Sequence, residues 1–119
     1  MNGKTVLVVD DDASLRLLCR VNLELDGHQV LEASSLTQAR ELIATVIPDV
    51  VLLDVHLGSE SGLDLIDDID SLELPTQVVL LSGSSQISPE LRARVSAVLG
   101  KPFDLAELTT AIASVQVGR

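Results

Sequence analysis

Apolar positions along this chain follow two rhythms that take turns. One is the short unbroken run rich in Val, Leu and Ile: 4–10 (KTVLVVD), 49–54 (DVVLLD), 76–82 (TQVVLLS) and 97–100 (AVLG). Runs of this length, cut off by a charged or turn residue, read as strands covered on both faces. A fifth run, 28–33 (HQVLEA), is less apolar and suits a sheet edge. The second rhythm sets apolar residues three and four apart, the spacing of one helix face. It runs over 13–27, where Gly27 is the stop signal. It returns after Ser35 with Leu36, Ala39, Leu42, Ile43 and Val46, ended by Pro48. It then covers about 62–72, with Leu65, Ile66 and Ile69 inward, and about 104–117, with Leu105, Leu108, Ile112 and Val115 on one face. Ser88 followed by Pro89 opens a very short helical piece, 88–95. Ser35 with Gln38, and Ser61 with Asp64, have helix-capping spacing.

Five alternations of strand and helix predict an α/β fold, a parallel sheet sandwiched by helices. The 119 residues suffice for one domain, 1–119, with no linker or internal repeat. In such sheets ligands bind beyond the carboxyl ends of the strands. Those ends carry a polar set: Asp10 and Asp11 after the first strand, Asp54 after the third, Ser82 after the fourth and Lys101 after the fifth.

Composition narrows the chemistry. The formal charge is −10, which argues against direct binding to nucleic acid or an anionic membrane and favours a cation or a basic partner. Phe103 is the single aromatic residue, so the core must be aliphatic and base stacking has no platform. The lone Cys19 falls on a helix and reads as a small buried hydrophobe, suited to a reducing compartment. No signal peptide and no membrane-length apolar run is visible, and the expectation is a soluble, cytoplasmic chain.

Clustered carboxylates raise one another's pKa unless a cation sits among them. Mg²⁺ suits one or two carboxylates plus phosphate and water oxygens. Asp54 is then placed to attack a phosphoryl group, with Lys101 and Ser82 meeting its oxygens. Each residue alone has a plainer reading. Asp10 to Asp12 could cap the first helix and favour its dipole, a role that fits Asp12 best. Asp54 could simply open a loop, and Ser82 could form a turn before Gly83. It is the joint appearance at one sheet edge that points to a site.

The segments VLVVDDD, VVLLDVHLGSESGLDLI, VVLLSG and GKPF resemble, in order and spacing, the landmarks of the receiver domain of two-component response regulators. The resemblance implies a flavodoxin-like (βα)5 three-layer sandwich with strand order 2-1-3-4-5. It implies a phosphoryl group on Asp54, received from a histidine kinase or histidine phosphotransfer protein. It implies Mg²⁺ held directly by Asp11, Asp54 and the His56 backbone carbonyl, with Asp10 acting through water. Ser82 and Lys101 would contact the phosphoryl group, and the bond before Pro102 is expected to be cis. His56 and Ser84 match positions that tune loss of the phosphoryl group in the family.

Several positions depart from the family pattern. Val98 stands where an aromatic switch residue is usual, Arg94-Val95 replaces a Gly-Ala pair, and the fourth helix is short. Gly58 replaces a common proline and is expected to loosen the loop after Asp54. Arg92 and Arg94 form the positive cluster near the expected output side. A downstream protein or a fused output domain would read the state of the domain, which is either a stand-alone receiver or part of a larger regulator or hybrid kinase. Two rivals are a haloacid-dehalogenase-type phosphohydrolase using Asp10 and Asp12, and a degenerate receiver that binds partners without phosphorylation.

Overall fold

The computed structural model describes residues 3–83 and 87–117. Strands β1 (Thr5–Val9), β2 (Gln29–Ala33), β3 (Val50–Asp54), β6 (Gln77–Ser82) and β7 (Ala97–Gly100) form a parallel sheet in the order β2-β1-β3-β6-β7. This is the expected flavodoxin-like order, counted over the strands of the main sheet. Between them lie helices α1 (Ala13–Leu25), α2 (Leu36–Thr45), α3 (Leu63–Ser71) and α4 (Pro89–Arg92), and α5 (Leu105–Ser114) closes the series. A small antiparallel hairpin, β4 (His56–Leu57) with β5 (Glu60–Ser61), interrupts the path from β3 to α3.

Alternation along the strands divides the core in two. Leu7, Val9, Val51, Leu53, Val78 and Leu80 face one way and pack with Ala39 and Ile43 of α2 and Leu65 and Ile66 of α3. Val6, Val8, Val50, Leu52, Val79 and Leu81 face the other way, against Cys19 and Leu23 of α1 and Leu108 and Ile112 of α5. Both faces of the central strands are therefore covered, which is why their sequences are unbroken apolar runs. Edge strand β2 is less apolar, and its Gln29 is exposed. Cys19 is fully buried, and burial pushes its thiol up to about 11.

The element ends show which local signals hold. Asp12 caps α1, accepting from the N–H groups of Ser14 and Leu15. Gly27 follows that helix at φ 93, a value that favours glycine. Ser88 caps the four-residue α4, and Asp104 forms a reciprocal capping box with Glu107 on α5. The pairing of Ser35 with Gln38 is only half a box. Ser35 accepts from the Gln38 N–H, but the Gln38 side chain turns to the N–H and hydroxyl of Ser34. Ser61 accepts from the Leu63 N–H, and Gly62, at the α3 N-cap, makes no side-chain cap. Helix α5 ends at Ser114, short of the expected 117, because Val115 is already extended at ψ 130. Val46, expected on the inner face of α2, lies beyond the helix and is 44% exposed. No helix among the described residues is long and apolar enough to cross a membrane.

Candidate functional site

The sheet gathers the acids at one edge. Asp10 follows β1 and Asp54 ends β3, its neighbour in the sheet, so the two come side by side although they lie far apart in sequence. One carboxylate oxygen from each of Asp10, Asp11 and Asp54 lies within 4.8 Å of the others. Asp10 is 1% exposed and Asp54 7%, while Asp11 is open to solvent. Three carboxylates at this spacing need countercharge. Lys101 supplies it from the end of β7: its Nζ donates to Asp10 Oδ2 at 3.1 Å and to Asp54 Oδ2 at 3.0 Å. The Lys101 N–H donates to the Ser82 carbonyl at 2.8 Å, so the lysine is aligned by the last rung of the β6–β7 pairing. The Lys101–Pro102 bond is cis, as expected.

The titration of these groups reflects that crowding. Burial raises the pKa of Asp10 in spite of the hydrogen bonds from the Asp12 N–H and Lys101, and the nearby Asp54 charge adds to the rise. For Lys101, burial pulls downward, but the hydrogen bonds to Asp54 and Asp10 outweigh it and leave the ammonium raised. Among the described residues, Lys101 is the cation paired with these carboxylates, so three acids share one ammonium and the pocket is short of positive charge. Its donor set is all hard oxygen, the set a divalent cation such as Mg²⁺ takes. The residues present fit that ion.

Ser82 ends β6 and is 5% exposed, one residue past Leu81, the register partner of Asp54. His56 is exposed, and its N–H donates to Asp54 Oδ1 at 3.2 Å. The loop after Asp54 is tighter than the sequence suggested. It turns through the β4–β5 hairpin, with Gly58 at φ 61, and the Gly58 N–H donates to Asp11 Oδ2 at 3.1 Å. A proline at 58 has no N–H to give, so glycine ties this loop to the acids where it was expected to loosen it. Asp12 is the acid left out: it is exposed and committed to the cap of α1. Ser84 lies outside the described residues.

Away from the pocket, Val98 is half-buried and packs on the α2–α3 side of the core, as do Leu91 and Val95. Arg94 does not contribute to a free positive patch. Its guanidinium bridges Asp67 at 2.7 Å and Asp70 at 2.7 Å, tying the turn after α4 to α3.

Two residues that matter to the pocket escaped the sequence reading. Gly62 stands so close to the chain that a Cβ there would come within 2.1 Å of the Asp54 carbonyl oxygen. Arg16 donates from Nη1 to the Asp10 carbonyl at 2.7 Å. Neither has a composition signal of its own: Ser61-Gly62 reads as a helix start, and Arg16 as the polar flank of an amphipathic helix.

Residues 6–113 match the family model of the response regulator receiver domain. The chain belongs to that family. This receiver domain is 33% identical over 120 residues to the phosphate regulon transcriptional regulatory protein PhoB of Pseudomonas aeruginosa, covering 97% of this chain and 52% of that protein. It is 26% identical to sporulation initiation phosphotransferase F of Bacillus subtilis, covering 94% of this chain and 93% of that one. The chain thus spans about half the length of the first relative and nearly all of the second. A CheY-like receiver domain from Methylobacillus flagellatus superposes with a TM-score of 0.86 at 27% identity, over 97% of this chain and all of that one. Membership sets aside the phosphohydrolase reading, and the capping role of Asp12 agrees, since that residue was to be the hydrolase's second acid.

Proposed function

We propose that this receiver domain takes a phosphoryl group on Asp54 from a phosphohistidine donor, a histidine kinase or phosphotransfer protein, and alters its partner-binding surface in response. An Asp54 carboxylate oxygen forms the new bond to phosphorus. The P–N bond to the donor imidazole breaks, and the electron pair stays on that nitrogen. Asp10, Asp11, Asp54 and the His56 carbonyl would hold Mg²⁺, which when bound supplies countercharge for the phosphoryl oxygens. Lys101 turns its ammonium from the Asp54 carboxylate to an oxygen of the incoming group, and the Ser82 hydroxyl donates to another. His56 and Ser84 guide or block the water that later removes the group.

The observation that carries this reading is the convergence of three carboxylates and one ammonium from β1, β3 and β7 at a single edge. The surroundings also suit a protein donor. Helix α1 begins directly after the acids, and its outer face shows Leu17, Leu18, Val21 and Leu25, the last 81% exposed. A donor presenting its histidine to Asp54 would lie beside the start of this helix.

The test is phosphorylation by acetyl phosphate with Mg²⁺. Wild type should take up an acid-stable, base-labile label, and Asp54→Asn should take up none. A label that persists in Asp54→Asn would remove Asp54 from the role. No label on wild type would favour a binding module that works without phosphorylation, the reading to which the core-packed Val98 lends support.

A further inference from the structure

Asp10 is held at each of its polar atoms. Its N–H donates to the Ala33 carbonyl at 3.2 Å, its Oδ1 accepts from the Asp12 N–H at 2.9 Å, and its Oδ2 accepts from Lys101 at 3.1 Å. The remaining atom, the carbonyl oxygen, lies just past the end of β1, where ladder partners run out. Arg16 Nη1 takes it at 2.7 Å.

That bond reaches beyond Asp10. The carbonyl of Asp10 shares one rigid peptide plane with the N and Cα of Asp11. Fixing the oxygen therefore fixes the point from which the Asp11 side chain departs. Arg16 is itself held fast: its Nε donates to Glu32 Oε1 on β2 at 3.2 Å, and its side chain is only 15% exposed. The other oxygen of Glu32 accepts from Arg20 at 3.1 Å. A planar guanidinium can serve Glu32 and the Asp10 carbonyl together because its donors point along fixed directions, which a lysine ammonium cannot match.

We propose that Arg16 is a positioning residue of the acidic pocket: its guanidinium, braced by Glu32, sets the orientation from which Asp10 and Asp11 present their carboxylates to a divalent cation. The inference rests on the cation-binding reading of the pocket given above. Its sign separates it from the plainer alternatives. If Arg16 acted only as a charge, removing it would relieve repulsion near the site and tighten Mg²⁺ binding. If it were only a staple between α1 and β2, Mg²⁺ binding by the folded protein would not change. As a positioning group its loss weakens binding, by the factor of roughly ten or more typical of groups that orient metal ligands.

The experiment titrates the ¹⁵N-labelled full chain with MgCl₂ and follows the backbone amide shifts of Asp11 and Gly58. Arg16→Gln should raise the Mg²⁺ dissociation constant roughly ten-fold. Arg16→Lys should be weakened too, because its ammonium cannot span both partners, and Glu32→Gln should shift binding in the same direction by less. Thermal melts confirm that each variant is folded at the titration temperature, and Arg16→Lys and Glu32→Gln carry the test if Arg16→Gln does not fold. Unchanged or tighter binding in the folded Arg16 variants would overturn the proposal while leaving the pocket intact. A wild type that shows no Mg²⁺ response would overturn the pocket reading along with it.

Discussion

At the pocket a single ammonium nitrogen serves two buried or nearly buried carboxylates. Lys101 Nζ lies 3.1 Å from Asp10 and 3.0 Å from Asp54, and its own side chain is 28% exposed. Taking it away leaves the buried Asp10 facing Asp54 with only backbone N–H donors, from Asp12 and His56, to offset the two charges. Lys101→Met should therefore cost about 2 kcal/mol in urea unfolding at neutral pH without divalent ions. Added Mg²⁺ should restore more stability to this variant than it adds to wild type, since the acids then have another source of countercharge. Equal Mg²⁺ responses would show that Lys101 does not neutralise the pocket. Gly62 is packed hard against the same Asp54. Its φ is an ordinary −62, so backbone freedom does not explain it. Space does: a methyl group at this position meets the backbone oxygen of Asp54. Gly62→Ala should destabilise by about 1–3 kcal/mol, because α3 has to draw back from Asp54, and on the proposed role of Asp54 it should also slow label uptake. Wild-type melting and labelling in that variant would refute the argument.

At the scale of elements, what could be read in advance followed the strength of the periodic signal. The four buried strand runs and the inner faces of α1 and α3 stood out because two-sided or one-sided burial writes directly into the pattern. The acids and the lysine were legible for a related reason: each comes directly after such a run, so its place at the sheet edge follows from the strand that carries it. The β4–β5 hairpin did not show, since two-residue strands such as Glu60–Ser61 carry no alternation and both of these residues are exposed. Arg94 read as a free cation because its partners, Asp67 and Asp70, belong to another helix and only the tertiary fold brings them near. Arg16 was hidden in the same way by its bonds to a backbone carbonyl and to an acid on β2. The end of α5 was overrun because Val115 and Val117 extend the apolar spacing after the helical backbone has stopped.

Over the whole molecule, the sheet is pinned at the amino-terminal ends of β1 and β2 by a titratable group. The Lys4 N–H, just before β1, donates to His28 Nδ1 at 3.0 Å, just before β2. Burial lowers the pKa of His28, the neighbouring Lys4 lowers it further, and Asp26 opposes them. The unfolded chain therefore takes up this proton first as pH falls below the ordinary 6.5. Stability contributed by neutral His28 is complete above that value and is lost as pH descends toward the lower folded value. Thermal melts should show a drop in midpoint over this range for wild type and a flatter profile for His28→Gln. Parallel profiles would mean that the histidine does not link β1 to β2 in the way the geometry implies. The burial of Cys19 has a practical consequence as well. With its sulfur sealed between α1 and the sheet and no tryptophan or tyrosine anywhere in the chain, the molecule shows no exposed thiol and no indole or phenol fluorescence. One cysteine or tryptophan introduced on the surface would be the sole reactive thiol or the sole fluorophore, so the motion of any chosen element could be followed against no background.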